Sequence, residues 1–370
     1  MQLIIYLVGG AVRDKLMGRK IKDRDYVVIG ADEKTFLRRF PDAGKVGKKA
    51  CVYIVGGDEY TLSQASDIQE DLERRDLTIN AFAEDRDGSI LSHSLAFDDL
   101  EQKVLRPVAE DNFFDDPLRV FRAARFTAWF PDFKIHDSLR NVMKRVGRRA
   151  LLDPVSSERV GNETLAALKG GKPGRFLKLL SETNNIKPWF RVFESADLIP
   201  AGPEPFHSES LLEHTMTVMN RLSGDPLAVW MGLCHDIGKS KTPRELWPAH
   251  RGHGGRGEEP ARALGLRLRL PKSYIQAGAL SSALHMKAGR YHELRPGSRV
   301  DLLVMLRRLN LIREMILLVK ADKGIEIGPE LEKDLERMLS VRLSPHEEGR
   351  GAFSGMRLRE LRCQAIAGKR

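Results

Sequence analysis

At 370 residues, with 42% apolar and 30% charged side chains, the chain is long enough for two or three domains with their own cores and has the composition of a soluble globular protein. No run approaches the roughly 18 apolar residues of a membrane span. The formal charge of +10 and a pI near 9.5 suit a polyanionic partner, nucleic acid first among them.

The first segment, Gln2-Leu3-Ile4-Ile5, lacks the basic start and small-residue cleavage site of a signal peptide, so Met1 is expected to begin the mature protein. Strand Ile4–Val8 then runs into Gly9-Gly10 and a helix bearing Arg13; exposed amides at such a turn, beside a positive helix end, form a phosphate site. A second strand is predicted from Asp23, and strand alternation places Asp23 and Asp25 on one face. Two carboxylates beside a phosphate cradle can hold Mg²⁺ for an in-line phosphoryl or nucleotidyl displacement. Lys34–Phe40 and Thr78–Ala83 read as helices, and Tyr26–Ile29, Val52–Val55 and Ser89–Leu91 as strands.

From about Pro107 the β signal ends and helical periodicity takes over. Asp116-Pro117 reads as a helix start, and Arg119, Arg122 and Arg125, at i, i+3 and i+6, line one helix face. Basic clusters follow a similar logic: Lys45, Lys48 and Lys49; Lys144, Arg145, Arg148 and Arg149; Lys169, Lys172 and Arg175. Few aromatics interleave with them, which points to phosphate contacts along a duplex rather than base stacking. Gly170–Gly174 separates two helices, and the proline-dense 199–205 stretch reads as a linker.

The segment after that linker carries most of the histidines. His214 lies on an amphipathic stretch, His235-Asp236 ends an apolar one, and Asp322 supplies a distant carboxylate, a ligand set suited to Mn²⁺, Ni²⁺, Fe or Mg²⁺. His250, His253 and His285 either complete a second metal position or act as acid and base. Lys239 contacts substrate phosphate or caps the helix C-terminus. Gly252–Gly257 reads as a loop, and residues 343–355 as a polar lead into a short basic terminal helix. Cys51, Cys234 and Cys363 are scattered and odd in number, which suits a reducing cytoplasm and argues against a cysteine zinc site.

Four blocks, Gly9-Gly10-Ala11-Val12-Arg13-Asp14, Lys22-Asp23-Arg24-Asp25, Arg74 through Ala81, and Asp115 through Phe126, resemble in order and spacing the bacterial CCA-adding tRNA nucleotidyltransferases. That branch is shared with bacterial poly(A) polymerases. Cys234-His235-Asp236-Ile237-Gly238-Lys239 is similar to the phosphohydrolase (HD-type) domain of the multifunctional subgroup.

The resemblance implies an α+β architecture: a small mixed α/β nucleotidyltransferase head (1–105), an all-helical neck (106–198), a helical HD-type domain (199–335) and a C-terminal helical tail (336–370). It implies Asp23 and Asp25 as catalytic Mg²⁺ ligands, and Gly10 and Arg13 against the triphosphate. Arg75 would contact ribose and phosphate, Asp116 and Arg119 the base edge, and Arg122 and Arg125 the ribose and triphosphate. His214, His235, Asp236 and Asp322 would hold a divalent transition metal such as Ni²⁺ or Mn²⁺. The implied partners are tRNA, CTP and ATP, with no membrane, for a cytoplasmic monomer or homodimer. The implied hydrolase substrates are 2′,3′-cyclic phosphates, 2′-nucleotides and phosphomonoesters.

Three departures from that pattern stand out. Only thirteen residues, Thr61 through Glu73, separate Tyr60 from Arg74, where relatives carry a longer loop. Gln64 stands where an arginine is expected, and His93-Ser94 where Asp-Pro is expected. The short loop resembles CC-only members, so addition of the terminal A is expected to be the weak step; a CC-only transferase and a poly(A) polymerase are the alternatives, with a silent RNA-binding module a distant third.

Overall fold

The computed structural model describes residues 3–21, 23–46, 52–204 and 208–368. Met1, Gln2, Lys22, Lys48, Lys49, Cys51 and Pro205, all used above, lie outside the described residues. The chain divides into two compact units, Met1–Val155 with Thr183–Asn185, and Ser156–Glu182 with Ile186–Arg370. The helices of the expected 106–198 neck are therefore shared between the two units rather than forming a third.

The first unit is built on a seven-stranded sheet of β1 (Ile4–Val8), β2 (Asp25–Ile29), β3 (Gly44–Val46), β4 (Val52–Val55), β5 (Asp58–Leu62), β6 (Phe82–Glu84) and β7 (Ile90–Ser92), in the order β3-β4-β5-β2-β1-β6-β7. Only the β2–β5 pair is parallel. Alternation along β2 divides its side chains between two cores. Val27 and Ile29 pack with Ile68, Leu72 and Ala81 on one face, and Val28 with Phe36 and Tyr53 on the other. Asp25 shares the face of Val27 and Ile29 by the same period, and there the strand begins; Asp23 precedes it. Thr78–Ala83, expected as a helix, is a 3₁₀ turn (Thr78–Asn80) followed by β6, because apolar Phe82 and Ala83 pair into the sheet between β1 and β7. Past Pro107 the described residues hold one further strand, Lys134–Ile135, pairing in parallel with Val104–Leu105. Helix Arg119–Trp129 follows Asp116, whose Oδ1 accepts the Leu118 N–H.

The second unit is helical among its described residues. Helix Pro226–Cys234 is apolar on every side and accordingly central, with Ala228 through Cys234 all buried. Asp225 caps its start and Pro226 occupies the first turn. Ser210 and Glu213 form a reciprocal capping box at the head of Leu211–Arg221.

The expected loop at Gly252–Gly257 is instead the opening of a helix, His253–Arg267. Its glycines serve close approach. A Cβ on Gly257 would lie 2.2 Å from Ser282 Oγ and 2.6 Å from Gly238 N, and one on Gly238 would lie 1.9 Å from the His253 carbonyl oxygen. This packing draws together His253–Arg267, the Ile237–Lys241 turn and helix Lys272–Ala288.

Candidate active sites: a carboxylate–glycine turn and a histidine cluster

In the first unit, the ladder sets Asp25 opposite Val8, one residue before the Gly9 turn, and beside Glu59 on β5. Gly9 adopts φ +66°, and its N–H donates to the Phe82 carbonyl at 2.9 Å. Burial, reinforced by Asp23, raises the Asp25 carboxyl above the usual range, while Arg75 and Arg122 pull it down. Burial, with Asp25 next, likewise raises Glu59. Anionic groups crowded in this way fit a divalent cation that also binds substrate phosphates.

Two guanidinium groups flank the glycines. Arg75 Nη1 would lie 3.3 Å from a Cβ at Gly9, and Arg13 Nη2 3.4 Å from one at Gly10. Neither arginine is a free arm. Arg75 donates through Nε and Nη2 to Asp71 Oδ2 at 3.1 and 2.7 Å, and Asp71 Oδ1 accepts from Ser63 Oγ at 2.9 Å. Arg13 is buried: it donates to Asp14 Oδ1 and to Asn80 Oδ1, and lies over the Phe130 ring at 4.8 Å. Its charge reaches the turn from a fixed position.

Asp76 is the hub beneath. Its buried carboxylate accepts from Leu77 N–H (2.8 Å), Asn80 Nδ2 (3.0 Å) and Arg122 Nε (2.7 Å), and Arg122 and Asn80 hold it well below the usual carboxylate range despite burial. Asn80 thus links Asp76 to Arg13. On helix Arg119–Trp129, Arg119 is partly buried and its Nη1 has no hydrogen-bond partner, while Arg125 lies over the Phe126 ring at 4.6 Å.

In the second unit, His214, His235, Asp236 and Asp322 converge as expected. His214 Nε2 lies 3.3 Å from His235 Nε2 and 3.1 Å from Asp322 Oδ1; His235 Nε2 lies 3.2 Å from Asp236 Oδ2. On the other side of Asp236, Oδ1 lies 3.1 Å from His253 Nε2 and 3.4 Å from His285 Nε2. Lys239 Nζ donates to Asp236 Oδ2 at 2.5 Å, so its first partner is a carboxylate of the cluster. His250 turns away: its Nε2 donates to the Pro200 carbonyl at 2.7 Å, and its own carbonyl accepts from His253 Nδ1. Glu209, which carries no motif signal, accepts from His214 Nδ1 at 2.8 Å.

Residues 5–52 and 48–106 match the Poly A polymerase head domain, and residues 132–197 the probable RNA and SrmB-binding site of polymerase A. The multifunctional CCA protein of Nitrosococcus oceani is 36% identical over 88% of this chain and 86% of its own length. That of Stenotrophomonas maltophilia is 34% identical over 99% of this chain and all of its own. The chain belongs to the multifunctional CCA protein family.

At lower identity the fold persists. The Bacillus stearothermophilus CCA-adding enzyme in complex with CTP is 23% identical, with a TM-score of 0.67 over 99% of this chain and 89% of that one. The Thermotoga maritima CCA-adding enzyme complexed with tRNA is 20% identical, with a TM-score of 0.66 over 100% and 88%. Within the first unit, Asp71, Asp76 and Asn80 are the supporting residues that motif reasoning passed over. Asp76 and Asn80 lie inside the Arg74–Ala81 block, and Asp71 stands one helical turn before Arg75, the i,i+4 spacing of an ion pair.

Proposed function

We propose that the chain is a tRNA nucleotidyltransferase that adds the 3′-terminal CCA from CTP and ATP without a nucleic-acid template, and that its histidine cluster is a metal-dependent phosphohydrolase acting on 2′,3′-cyclic phosphates, 2′-nucleotides and phosphomonoesters. The observation that carries the first activity is the register of Asp25 beside the Gly9-Gly10 turn, with two anchored guanidinium groups at the glycines.

Asp23 and Asp25 would hold Mg²⁺, which when bound neutralises phosphate charge and eases ionisation of the RNA 3′-hydroxyl. The turn presents backbone amides to the triphosphate, and Gly10 leaves room for close approach. Arg13 and Arg75 compensate phosphate charge from fixed positions, so little side-chain entropy is lost on binding. Arg119, with a donor lacking a partner, and Asp116 face the base edge. Cytosine offers an amino donor to a carboxylate, and its N3 and O2 accept from a guanidinium. Arg122 and Arg125 continue the row toward ribose and triphosphate. The basic balance suits the tRNA backbone.

For the histidine cluster, His214, His235, Asp236 and Asp322 offer the mixed imidazole and carboxylate donors of a Mn²⁺ or Ni²⁺ site. The functional division we assign is head 1–105, neck 106–198, HD-type domain 199–335 and tail 336–370, in a cytoplasmic protein, monomer or homodimer.

The compact segment between β5 and helix Ile68–Glu73 bears on the last nucleotide. Asp67 caps that helix, Ser66 bonds Glu70 and Ser63 bonds Asp71, so little free chain lies there. A tRNA lacking its 3′ CCA is incubated with CTP, with ATP and with both. Two C's from CTP and a further A when ATP is present are expected. Addition that halts at CC assigns the CC-only reading, a run of A's the polymerase reading, and no addition overturns the transferase reading.

A further inference from the structure

Helix Ala352–Ile366 carries three arginines, and two of them are committed to carboxylates. Arg357 donates through Nε to Glu347 Oε1 and through Nη1 to Glu360 Oε2, each at 2.7 Å. Arg359 holds Asp301 in a fork, Nε to Oδ1 at 2.7 Å and Nη2 to Oδ2 at 2.8 Å. Arg362 differs. Its Nε is buried and has no hydrogen-bond partner. Burial lowers its guanidinium below the usual range, and the two charges that act on it, Arg307 and Arg342, are cations that lower it further. The three guanidinium groups come from three elements. Arg307 lies in the last turn of helix Pro296–Arg308, Arg342 just beyond helix Gly328–Ser340, and Arg362 within helix Ala352–Ile366. Arg342 Nη1 donates to the Leu339 and Val341 carbonyls, which orient it without neutralising it. Among the described residues no carboxylate is paired with any of the three.

Like charges gathered in this way repel, and a buried N–H without an acceptor costs free energy. The carbonyl ends of helices Pro296–Arg308 and Gly328–Ser340 offset part of the charge on Arg307 and Arg342. Arg362 has no such compensation, because it lies a turn short of its own helix end. We propose that Arg307, Arg342 and Arg362 form a binding site for a phosphate group. A tetrahedral phosphate accepts from several directions at once and so matches guanidinium groups arriving from three elements. A planar carboxylate is filled by one fork, as Asp301 is by Arg359. Only the Nε of Arg362 is buried without a partner, which leaves its two Nη groups for the ligand. The phosphate is carried by an RNA backbone or is a free anion; the chemistry of recognition is the same. None of the three arginines belongs to the glycine turn or the histidine cluster, so the site requires neither proposed activity.

The test compares four full chains: the parent, Arg362→Gln, the triple variant Arg307→Gln, Arg342→Gln and Arg362→Gln, and a control, Arg262→Gln. Arg262 lies on helix His253–Arg267 and is tied to Glu258 at 3.0 Å, so the control removes one positive charge elsewhere. Filter binding of a tRNA lacking its 3′ CCA is followed across a salt series, and thermal melts are recorded in inorganic phosphate and in chloride at equal ionic strength. The slope of log affinity against log salt is expected to fall by about 1 in the triple variant, as one phosphate contact is lost, and by less in Arg362→Gln, while Arg262→Gln keeps the parent slope. A slope that holds, with phosphate raising the Tm of the parent and not of the triple variant, assigns the site to a free anion. Unchanged slopes together with identical phosphate responses overturn the site, as does an Arg262→Gln slope as low as that of Arg362→Gln. In chloride, Arg362→Gln is expected to melt no lower than the parent, since one of three like charges has gone. A marked fall there would make the side chain a support of the fold and overturn the site as well.

Discussion

Gly238→Ala is the sharpest probe of how the histidine cluster is assembled. The new methyl carbon would lie 1.9 Å from the His253 carbonyl oxygen and 2.8 Å from Gly257 N, backbone atoms with no rotamer to escape into. Comfortable contacts begin at about 3.5 Å, so the start of helix His253–Arg267 must retreat by roughly 1.5 Å. His253 would then leave Asp236 Oδ1, from which its Nε2 is now 3.1 Å away, and the contact between the two would be lost. Overpacking of this kind costs about 1–3 kcal/mol. In a unit of this size that lowers Tm by about 2–12 °C. Misplacement by an ångström or more lowers hydrolysis by about 100-fold. Gly255→Ala is the control: a helical position with nothing within 4 Å of its Cβ, it should gain about 0.5–1 kcal/mol and keep full hydrolysis. Thermal melts and phosphodiester hydrolysis measure both. A Gly238→Ala protein with unchanged Tm and rate would refute the claim that glycine contact sets the cluster.

Asp23→Ala or Asp25→Ala abolishes nucleotide addition while leaving tRNA affinity nearly unchanged, because the basic surface and not the carboxylates binds RNA; filter binding beside an addition assay checks the separation. His235→Ala with Asp236→Ala removes phosphohydrolase activity and spares nucleotide addition, and loss of addition in the folded double variant would contradict the independence of the sites. Asp76→Asn costs about 2–4 kcal/mol near neutral pH, since a buried carboxylate with three donors, one of them Arg122, loses its charge. The Asp76 carboxyl is depressed in the folded state, so its contribution is complete above the unfolded value of about 3.9 and is lost as pH falls through the folded one. Denaturant melts should therefore show the gap between variant and parent narrowing below about pH 4, and a constant gap would refute the linkage.

The order of the fold, a sheet and then helices, was legible because the hydrophobic period changes near Pro107. So were the carboxylate, glycine and arginine positions of the head, since each belongs to a dense local motif. What escaped was set by packing at a distance. Phe82 and Ala83 follow a segment of helical period, yet the edge of β1 offers them a ladder. Gly252–Gly257 has the composition of a loop, and only the neighbouring Gly238 and Ser282 backbones reveal why a helix there needs glycine. Glu209 and the backbone carbonyls behind the histidines carry no signature at all. Any acceptor at the right point serves, so nothing in the sequence marks one out.

A common principle links the two sites. In the head, three cations near the glycine turn are tied by carboxylates other than Asp23 and Asp25: Arg13 by Asp14, Arg75 by Asp71, Arg122 by Asp76. The guanidinium groups are thereby held against collapse onto Asp23 and Asp25, the pair proposed to bind metal. In the cluster, backbone carbonyls and Glu209 accept at Nδ1 of His214, His235, His253 and His285, and Lys239 donates to one oxygen of Asp236, so four Nε2 atoms are turned toward the Asp236 and Asp322 carboxylates. In both places the supporting groups are spent on orientation before any ligand arrives. The cost of that order falls on folding, where Asp76 and Asp236 must be buried as charges, rather than on each turnover. This division explains why a glycine contact and a buried aspartate, neither of which need touch substrate, are the positions where small changes should be felt most.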